Sequence, residues 1–302
     1  MVMSNPTYPV NTAYCGRFAP SPSGPLHFGS LVTALGSWLD ARAHQGRWLL
    51  RIEDIDPPRT MPGAVAAQLK ALAHFGLTWD GAVMWQSDRS EAYRAALTTL
   101  REQLFWCTCS RAQLQVSAPH YAGTCYRQQS APAGEAAAIR LRGQPAPGFT
   151  DRAQGWCALA STGNDPILKR RDGLWAYTLA VVVDDAMQGV TDVVRGADLS
   201  PTTPVQIMLQ QALHVPSPRY LHLPLITLKD GRKLSKQNQA PALDLTQRSQ
   251  LLRMALVALG LKPPKAVATT EYLAWAVQHW HQRKPMPLQQ TLCSLQQEAV
   301  LS

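Results

Sequence analysis

No apolar run in the sequence approaches the roughly 18 residues needed to span a bilayer, so a helical membrane protein is not expected. The first residues, Met1-Val2-Met3-Ser4-Asn5-Pro6, lack a basic segment followed by an apolar one; no export signal is expected, and a cytoplasmic location is. Cysteine is scarce. Six residues (Cys15, Cys107, Cys109, Cys125, Cys157, Cys293) are too few and too unevenly spread for a disulfide framework in 302 residues, which fits a reducing compartment. Acidic residues are also in short supply, 20 against 29 Lys plus Arg. The formal charge of +9 and a pI near 9.5 suit a polyanionic partner, although charge excess alone discriminates poorly. Internal repeats are missing too. What remains, 46% hydrophobic and 16% charged, is the composition of a globular chain with one large or two smaller cores.

Strand-like and helix-like segments alternate along the chain. Residues 14 to 19 form a short apolar run ended by Pro20-Ser21-Pro22-Ser23-Gly24-Pro25, and 27 to 43 carry helical spacing through Leu31, Leu35, Trp38 and Leu39. A second strand, 48 to 52, ends in the acidic turn 53 to 58, and a helix from about 64 to 75 follows. This alternation predicts a parallel α/β sheet. Residues 90 to 106 read as a helix with Ser90 as N-cap, leading to a Cys-bearing insertion and a Gly/Pro/Ala-rich surface loop at 131 to 149. The sheet is expected to resume with strands at 174 to 183 and 190 to 195, then a helix at 204 to 213, a strand at 221 to 228, a basic loop at 229 to 238 and a helical tail with apolar spacing at Leu251, Leu252, Ala255, Leu256 and Leu259.

In an open parallel sheet, ligands bind where strands end and helices begin, because loop amides and helix N-termini favour anions. The loop at 20 to 30 has that position. His27 can donate to a phosphate there, and Gly29 lets a base or ribose approach the backbone. Alone, Pro-x-His-x-Gly is a weak signal, equally a Pro-rich turn with a capping His. Lys229-Asp-Gly-Arg-Lys233-Leu-Ser-Lys236 gathers four basic residues around a glycine, suited to holding a polyphosphate and also readable as a solvated basic loop. The order and wide separation of the two strengthen both.

Together these segments resemble the class I aminoacyl-tRNA synthetases, in which a HIGH-type segment opens the nucleotide site and a KMSKS-type loop closes it. Gly16-Arg-Phe-Ala-Pro-Ser-Pro-Ser-Gly-Pro-Leu-His-Phe-Gly-Ser30 is similar to the glutamyl-tRNA synthetase signature, and Arg51-Ile-Glu-Asp-Ile-Asp56, Val181-Val-Val-Asp-Asp185, Val194-Arg-Gly-Ala-Asp198 and Lys233-Leu-Ser-Lys236 follow in family order over about residues 14 to 240. The fourth HIGH position is Ser30 rather than His, a departure this subfamily tolerates. Only 66 residues follow Lys236, too few for the family's anticodon-reading domains. That brevity, with the Lys236-Gln-Asn238 continuation, resembles a short paralogue that activates glutamate without tRNA and attaches it to the queuosine base in the anticodon loop of tRNA(Asp).

The resemblance implies a class I Rossmann-like α/β fold with a zinc-bearing insertion and a small C-terminal helical region. Its expected segments are 1–106, the first half of the catalytic domain; 107–172, the insertion; 173–240, the second half with the KMSKS-type loop; and 241–302, helical. The implied activity is ATP-dependent glutamyl-adenylate formation, with Mg²⁺ accompanying ATP. Glutamate presents two carboxylates and one ammonium, so its pocket calls for guanidinium forks and a carboxylate. Arg17, Arg195 and Glu53 match that need, and the family adds Tyr177, Ser21 and the backbone of Ala19. His27 and Lys236 are the expected stabilisers of the reacting phosphate, and Gly29, Lys233 and Ser235 complete the nucleotide site. Cys107-Thr-Cys109 with Cys125 supplies three soft ligands for one structural zinc, and His120 or Tyr121 completes a tetrahedron. His120 is the better ligand on chemistry alone, whereas the paralogue's insertion, with Tyr four positions before its last Cys, selects Tyr121. The expected partners are L-glutamate, ATP and queuosine-bearing tRNA(Asp), with no membrane and a monomeric chain. The competing readings are a shortened glutamyl-tRNA synthetase charging a tRNA 3′ end, and a catalytically silent tRNA-binding relic. The helical stripe Leu273, Ala276, Val277 and Trp280 is read as packing, and His44, His74 and His214 as without a functional pattern.

Overall fold

The computed structural model describes residues 13–116, 121–144, 148–158, 165–228, 230–234, 241–264, 268–284, 286–287 and 289–295. In chain order its elements are β1 (Cys15–Phe18), α1 (Phe28–Ala43), β2 (Arg47–Ile52), α2 (Ala64–His74), β3 (Met84–Trp85), α3 (Ser90–Thr99), β4 (Leu104–Cys107), α4 (Arg111–Val116), β5 (Ala138–Leu141), β6 (Phe149–Asp151) and β7 (Gly155–Cys157). They continue with β8 (Ile167–Lys169), α5 (Tyr177–Met187), β9 (Asp192–Gly196), α6 (Thr203–Ala212), β10 (Arg219–Leu223), β11 (Leu225–Thr227), α7 (Arg248–Ala258), α8 (Thr269–His279) and β12 (Gln289–Thr291).

Strands β1, β2 and β3 pair in parallel, as do β9, β10 and β6, with β7 antiparallel at the edge. Thr191 N donates to Cys15 O at 2.9 Å and joins β1 to the entry of β9. The β2 run Trp48–Ile52 is buried throughout, as expected of a parallel strand covered on both faces. Neighbouring residues of β9 and β10 feed different cores. Val194 and Leu221 pack with α1, whereas Val193 and Tyr220 pack with Ile207 of α6, so helices cover both faces of the sheet. Gly36 of α1 sits so close to β10 and α7 that a Cβ there would meet Leu223 Cδ1 at 2.6 Å and Leu259 Cδ2 at 3.0 Å. The C-terminal helices join that same core: Leu252, Leu256, Leu273, Ala276 and Trp280 are buried against the α1 side. The stripe at 273–280 is therefore packing, and Trp280 adds an indole N–H to the buried Asp40 carboxylate at 2.7 Å. His44 and His74 serve the same end, bonding backbone carbonyls of Asp40 and Leu245.

Several expectations are corrected. The helix beginning at Ser90 ends at Thr99, and the Leu-Phe-Trp-Cys run at 104–107 forms β4, whose aromatics suit the antiparallel pairing with β5. Ser90 is the first helical residue rather than the cap; its hydroxyl accepts from Trp175 Nε1 at 3.1 Å. The stretch read as a loop at 131–149 contains β5, the central strand of the sheet β4-β5-β8. The apolar run read as a strand at 174–183 is instead α5. Leu179 to Val183 are apolar and buried on every side of the helix, with the buried Asp184 and Asp185 next in line, so no polar face marks a 3.6-residue period. The strand expected at 221–228 breaks at Pro224, which cannot donate to a ladder, into β10 and β11. Among the described residues no helix is long and apolar enough to cross a membrane.

Candidate active site

A cavity of about 540 Å³ opens at the C-terminal ends of β1, β2 and β9. Arg17, Ala19, Ser21, His27, Gly29, Glu53, Tyr177, Arg195 and Lys233, all singled out from the sequence, line it. Ser235, Lys236 and His120 lie outside the described residues.

His27 caps α1 with its ring, Nδ1 accepting from Ser30 N at 3.2 Å. That contact makes Nδ1 the acceptor, so the neutral ring carries its proton on Nε2, the tautomer suited to donating to an anionic oxygen. Gly29 lies between this ring and the basic loop: a Cβ there would stand 3.1 Å from His27 Cε1, 3.2 Å from Nδ1 and 3.5 Å from Leu234 O. The loop folds back onto β11 through Leu228 N to Arg232 O and Leu234 N to Ile226 O, both 2.8 Å, with Gly231 at φ +80° in the turn. This return brings Lys233 into an ion pair with Asp198 on the cavity wall. The first and last nucleotide-type motifs therefore meet across one glycine.

The second polar group is a buried lattice. Arg17, 4% exposed, gives Nε and Nη2 to Asp185 at 3.1 and 3.3 Å. Its side-on fork is thus already closed by protein, and the Nη1/Nη2 edge is what a ligand carboxylate can use. Arg51 gives Nη1 to Asp185 and Gln188 at 2.7 and 2.8 Å and Nη2 to Glu53 at 3.4 Å. Burial pushes the Glu53 carboxyl up to about 7; Asp185 adds to the rise, while Arg51 and Arg17 oppose it. Burial would raise Asp185 as well, but Arg17 and Arg51 overcome it and hold that carboxyl below its ordinary range. Tyr177 is raised by burial and by the Glu53 charge. Arg195 is fixed from several sides: Nη1 to Gln206 Oε1 at 2.7 Å, Nη2 to Thr203 Oγ1 at 2.7 Å, and Nε to His222 Nε2 at 3.2 Å, with His222 Nδ1 on Asp151 at 2.7 Å.

Sequence reasoning missed these supports. Asp185, Arg51 and Asp198 stood inside the quoted signature stretches without a role, since their use depends on what folds against them. Gln68 of α2, which holds Ser21 O and Gly24 O through Nε2 at 3.0 and 2.8 Å, had no sequence signal.

A separate cluster forms in the insertion. The sulfurs of Cys107, Cys109 and Cys125 lie within 4.8 Å of one another, with Cys109 and Cys125 at 3.5 Å. Tyr121 Oη stands 3.8 Å from Cys109 Sγ and accepts from Cys125 N at 3.0 Å. Three thiols and a phenol converging on one point form a donor set that fits a tetrahedral soft metal.

Residues 14–264 match the family described as tRNA synthetases class I (E and Q), catalytic domain, and the chain belongs to that family. Among its relatives, a protein of Pseudomonas fluorescens called Glutamyl-Q tRNA(Asp) synthetase is 51% identical over 91% of this chain and 94% of its own. A Xanthomonas axonopodis pv. citri protein of the same name is 53% identical over 89% and 92%. The fold is also that of the glutamate-tRNA synthetase of Elizabethkingia anophelis, with a TM-score of 0.77 at 22% identity, covering 95% of this chain and 70% of that one. A glutamate tRNA ligase of Elizabethkingia meningosepticum, solved in complex with its amino acid, gives 0.73 at 25% identity, covering 86% and 64%.

Proposed function

We propose that this chain joins L-glutamate to AMP at the expense of ATP, without tRNA, and then passes the glutamyl group to the queuosine base in the anticodon loop of tRNA(Asp). The observation that carries the reading is the single cavity shared by Arg17, Glu53, Tyr177 and Arg195 at one cluster and His27, Gly29 and Lys233 at another, in a chain half identical to proteins named for this activity.

In the first step a glutamate α-carboxylate oxygen attacks the α-phosphorus of ATP, the bond to the bridging oxygen breaks, and pyrophosphate leaves with its electron pair. Positioning and electrostatics suffice, and no covalent enzyme intermediate is needed. Glu53, when ionised, receives the substrate ammonium; Arg17 and Arg195 receive its carboxylates, and Tyr177 with Ser21 and the Ala19 backbone shapes the pocket. His27 Nε2–H and Lys233 line the end of the cavity that would take the phosphates, the family resemblance assigns Ser235 and Lys236 to the same task, and Mg²⁺ would arrive as part of the ATP complex. In the second step a nucleophile on the tRNA attacks the acyl carbon and AMP departs.

Cys107, Cys109, Cys125 and Tyr121 would hold one zinc ion, which would stiffen the insertion 107–172 and leave the reaction itself to the cavity. We read the catalytic halves as 1–106 and 173–240 and the remainder as a helical C-terminal region, in a cytoplasmic monomer. The test is pyrophosphate exchange with purified protein and no tRNA. Glutamate should support exchange, and aspartate and glutamine should not; a strict tRNA requirement would overturn the reading.

A further inference from the structure

The buried lattice beneath the cavity contains two residues that the proposed chemistry does not touch, Arg51 and Asp185. Arg51 is fully buried, with Nε lacking a partner among the described residues. Its two terminal nitrogens reach three acceptors on two elements: Glu53 on the segment leaving β2, and Asp185 and Gln188 at the end of α5. Asp185 in turn grips Arg17 of β1 side-on. The result is a chain of alternating charge, Arg17–Asp185–Arg51–Glu53, with one cavity-lining residue at each end. Two cations and two anions cancel inside the lattice, which makes its burial tolerable, and removal of any one member leaves an uncompensated charge.

We propose that Arg51, acting with Asp185, is a positioning residue that couples the two ends of the amino-acid pocket, its guanidinium orienting and partly countering the Glu53 carboxylate that would meet a substrate ammonium while Asp185 aims the Arg17 guanidinium at a substrate carboxylate. The proposal rests on the glutamate reading of the cavity. Its physical logic is that a carboxylate as enclosed as Glu53, whose side chain is 9% exposed, ionises readily only if a cation stays within reach. The groups facing Glu53 are Arg17 from β1, Arg51 from β2, and Asp185 and Tyr177 from α5. Arg51 stands first among those that favour the ionised form. A lysine at 51 would supply the charge but not the span, because a single nitrogen replaces the two forked ones that reach the Asp185–Gln188 pair and Glu53 separately.

The two supports act on Glu53 with opposite signs, which separates positioning from simple scaffolding. Arg51→Gln removes a stabilising cation, so the Glu53 midpoint should rise by about one pH unit or more. Asp185→Asn removes a repelling anion and releases the guanidinium groups, so the midpoint should fall. Both variants should raise the KM for glutamate by about tenfold, as loss of one charge-assisted contact implies, while the KM for ATP stays near wild type. In Arg51→Gln the defect should shrink with rising pH as Glu53 ionises.

The experiment is carbon-13 NMR of glutamate-labelled full-length protein titrated from pH 5.5 to 9, with Glu53→Gln assigning the resonance, beside pyrophosphate exchange for each variant. Opposite shifts of the midpoint with a selective glutamate defect are the expected result. Arg51→Lys serves if Arg51→Gln does not fold; its midpoint should stay close to wild type while glutamate KM rises. Midpoints unchanged or moving in the same direction in Arg51→Gln and Asp185→Asn, or a lysine variant with wild-type glutamate KM, would overturn the proposal. Opposite midpoint shifts with no glutamate-dependent exchange in the wild-type protein would instead retain the charge lattice and sink the glutamate reading.

Discussion

Replacing Gly29 by alanine adds three atoms' worth of volume where the two nucleotide-type motifs touch. The new Cβ would stand 3.1 and 3.2 Å from the His27 ring and 3.5 Å from Leu234 O. Backbone on the Leu234 side yields less readily than a side chain, so the imidazole must move by a few tenths of an ångström. The Ser30 N to Nδ1 bond is already 3.2 Å, near the upper end for such bonds, and that displacement breaks it. Loss of the cap costs about 1 kcal/mol, which lowers the melting temperature by about 2–4 °C for a domain of this order of size. The displaced ring should cost far more in rate, since misplacing a catalytic group by up to 1 Å lowers turnover by as much as about a hundredfold. Thermal melting and pyrophosphate exchange with ATP varied at saturating glutamate read both effects. The expected pattern is a small drop in stability, a tenfold or larger drop in kcat (about 1.4 kcal/mol), and an unchanged KM for glutamate. A normal kcat combined with the loss of stability would refute the placement of His27 at the phosphate.

Because Glu53 is pushed up to about 7 by burial and must be ionised to take an ammonium, kcat/KM for glutamate should climb through pH 7 and level off above it, whereas the ATP dependence should not share that step; a flat glutamate profile from pH 6 to 8.5 would count against Glu53. The same raised acid favours the fold while protonated, so its contribution to stability is full below its unfolded value and fades as pH rises through about 7. Arg17→Lys leaves Asp185 without its side-on fork and the ligand without the Nη1/Nη2 edge, so glutamate KM should rise about ten- to a hundredfold, or about 1.5–3 kcal/mol; a collapse of ATP dependence instead would move Arg17 to the nucleotide. Cys125→Ser should reduce bound zinc from one per chain and lower thermal stability, and elemental analysis showing full retention would remove Cys125 from the ligand set.

The strand–loop–helix at 14 to 43 was legible because apolar spacing, a proline-rich turn and a capping residue all agreed. Residues 174–187 were not, since a run of alanine and valine buried on every side looks the same in a strand as in a helix, and only packing against α6 decides. Cysteine spacing alone brought Cys107, Cys109 and Cys125 into one candidate cluster, and their sulfurs do converge. The cavity-lining set was readable through signature stretches, yet the supports were not: Asp185 lies 168 positions from Arg17 and Gln68 lies 44 from Gly24. Local pattern carries no record of such pairings. The Arg17 fork is a case in point: charge complementarity to glutamate calls for a guanidinium without saying which edge is used, and Asp185 occupies the side-on edge.

Protein incubated with ATP, labelled glutamate and tRNA(Asp) containing queuosine, followed by nuclease digestion and mass spectrometry of the nucleosides, locates the new bond directly. Glutamate should be recovered on the queuosine base of the anticodon loop, with none on tRNA(Asp) lacking queuosine. Recovery of the label on the 3′-terminal adenosine of tRNA(Glu), with the queuosine base unmodified, would contradict it.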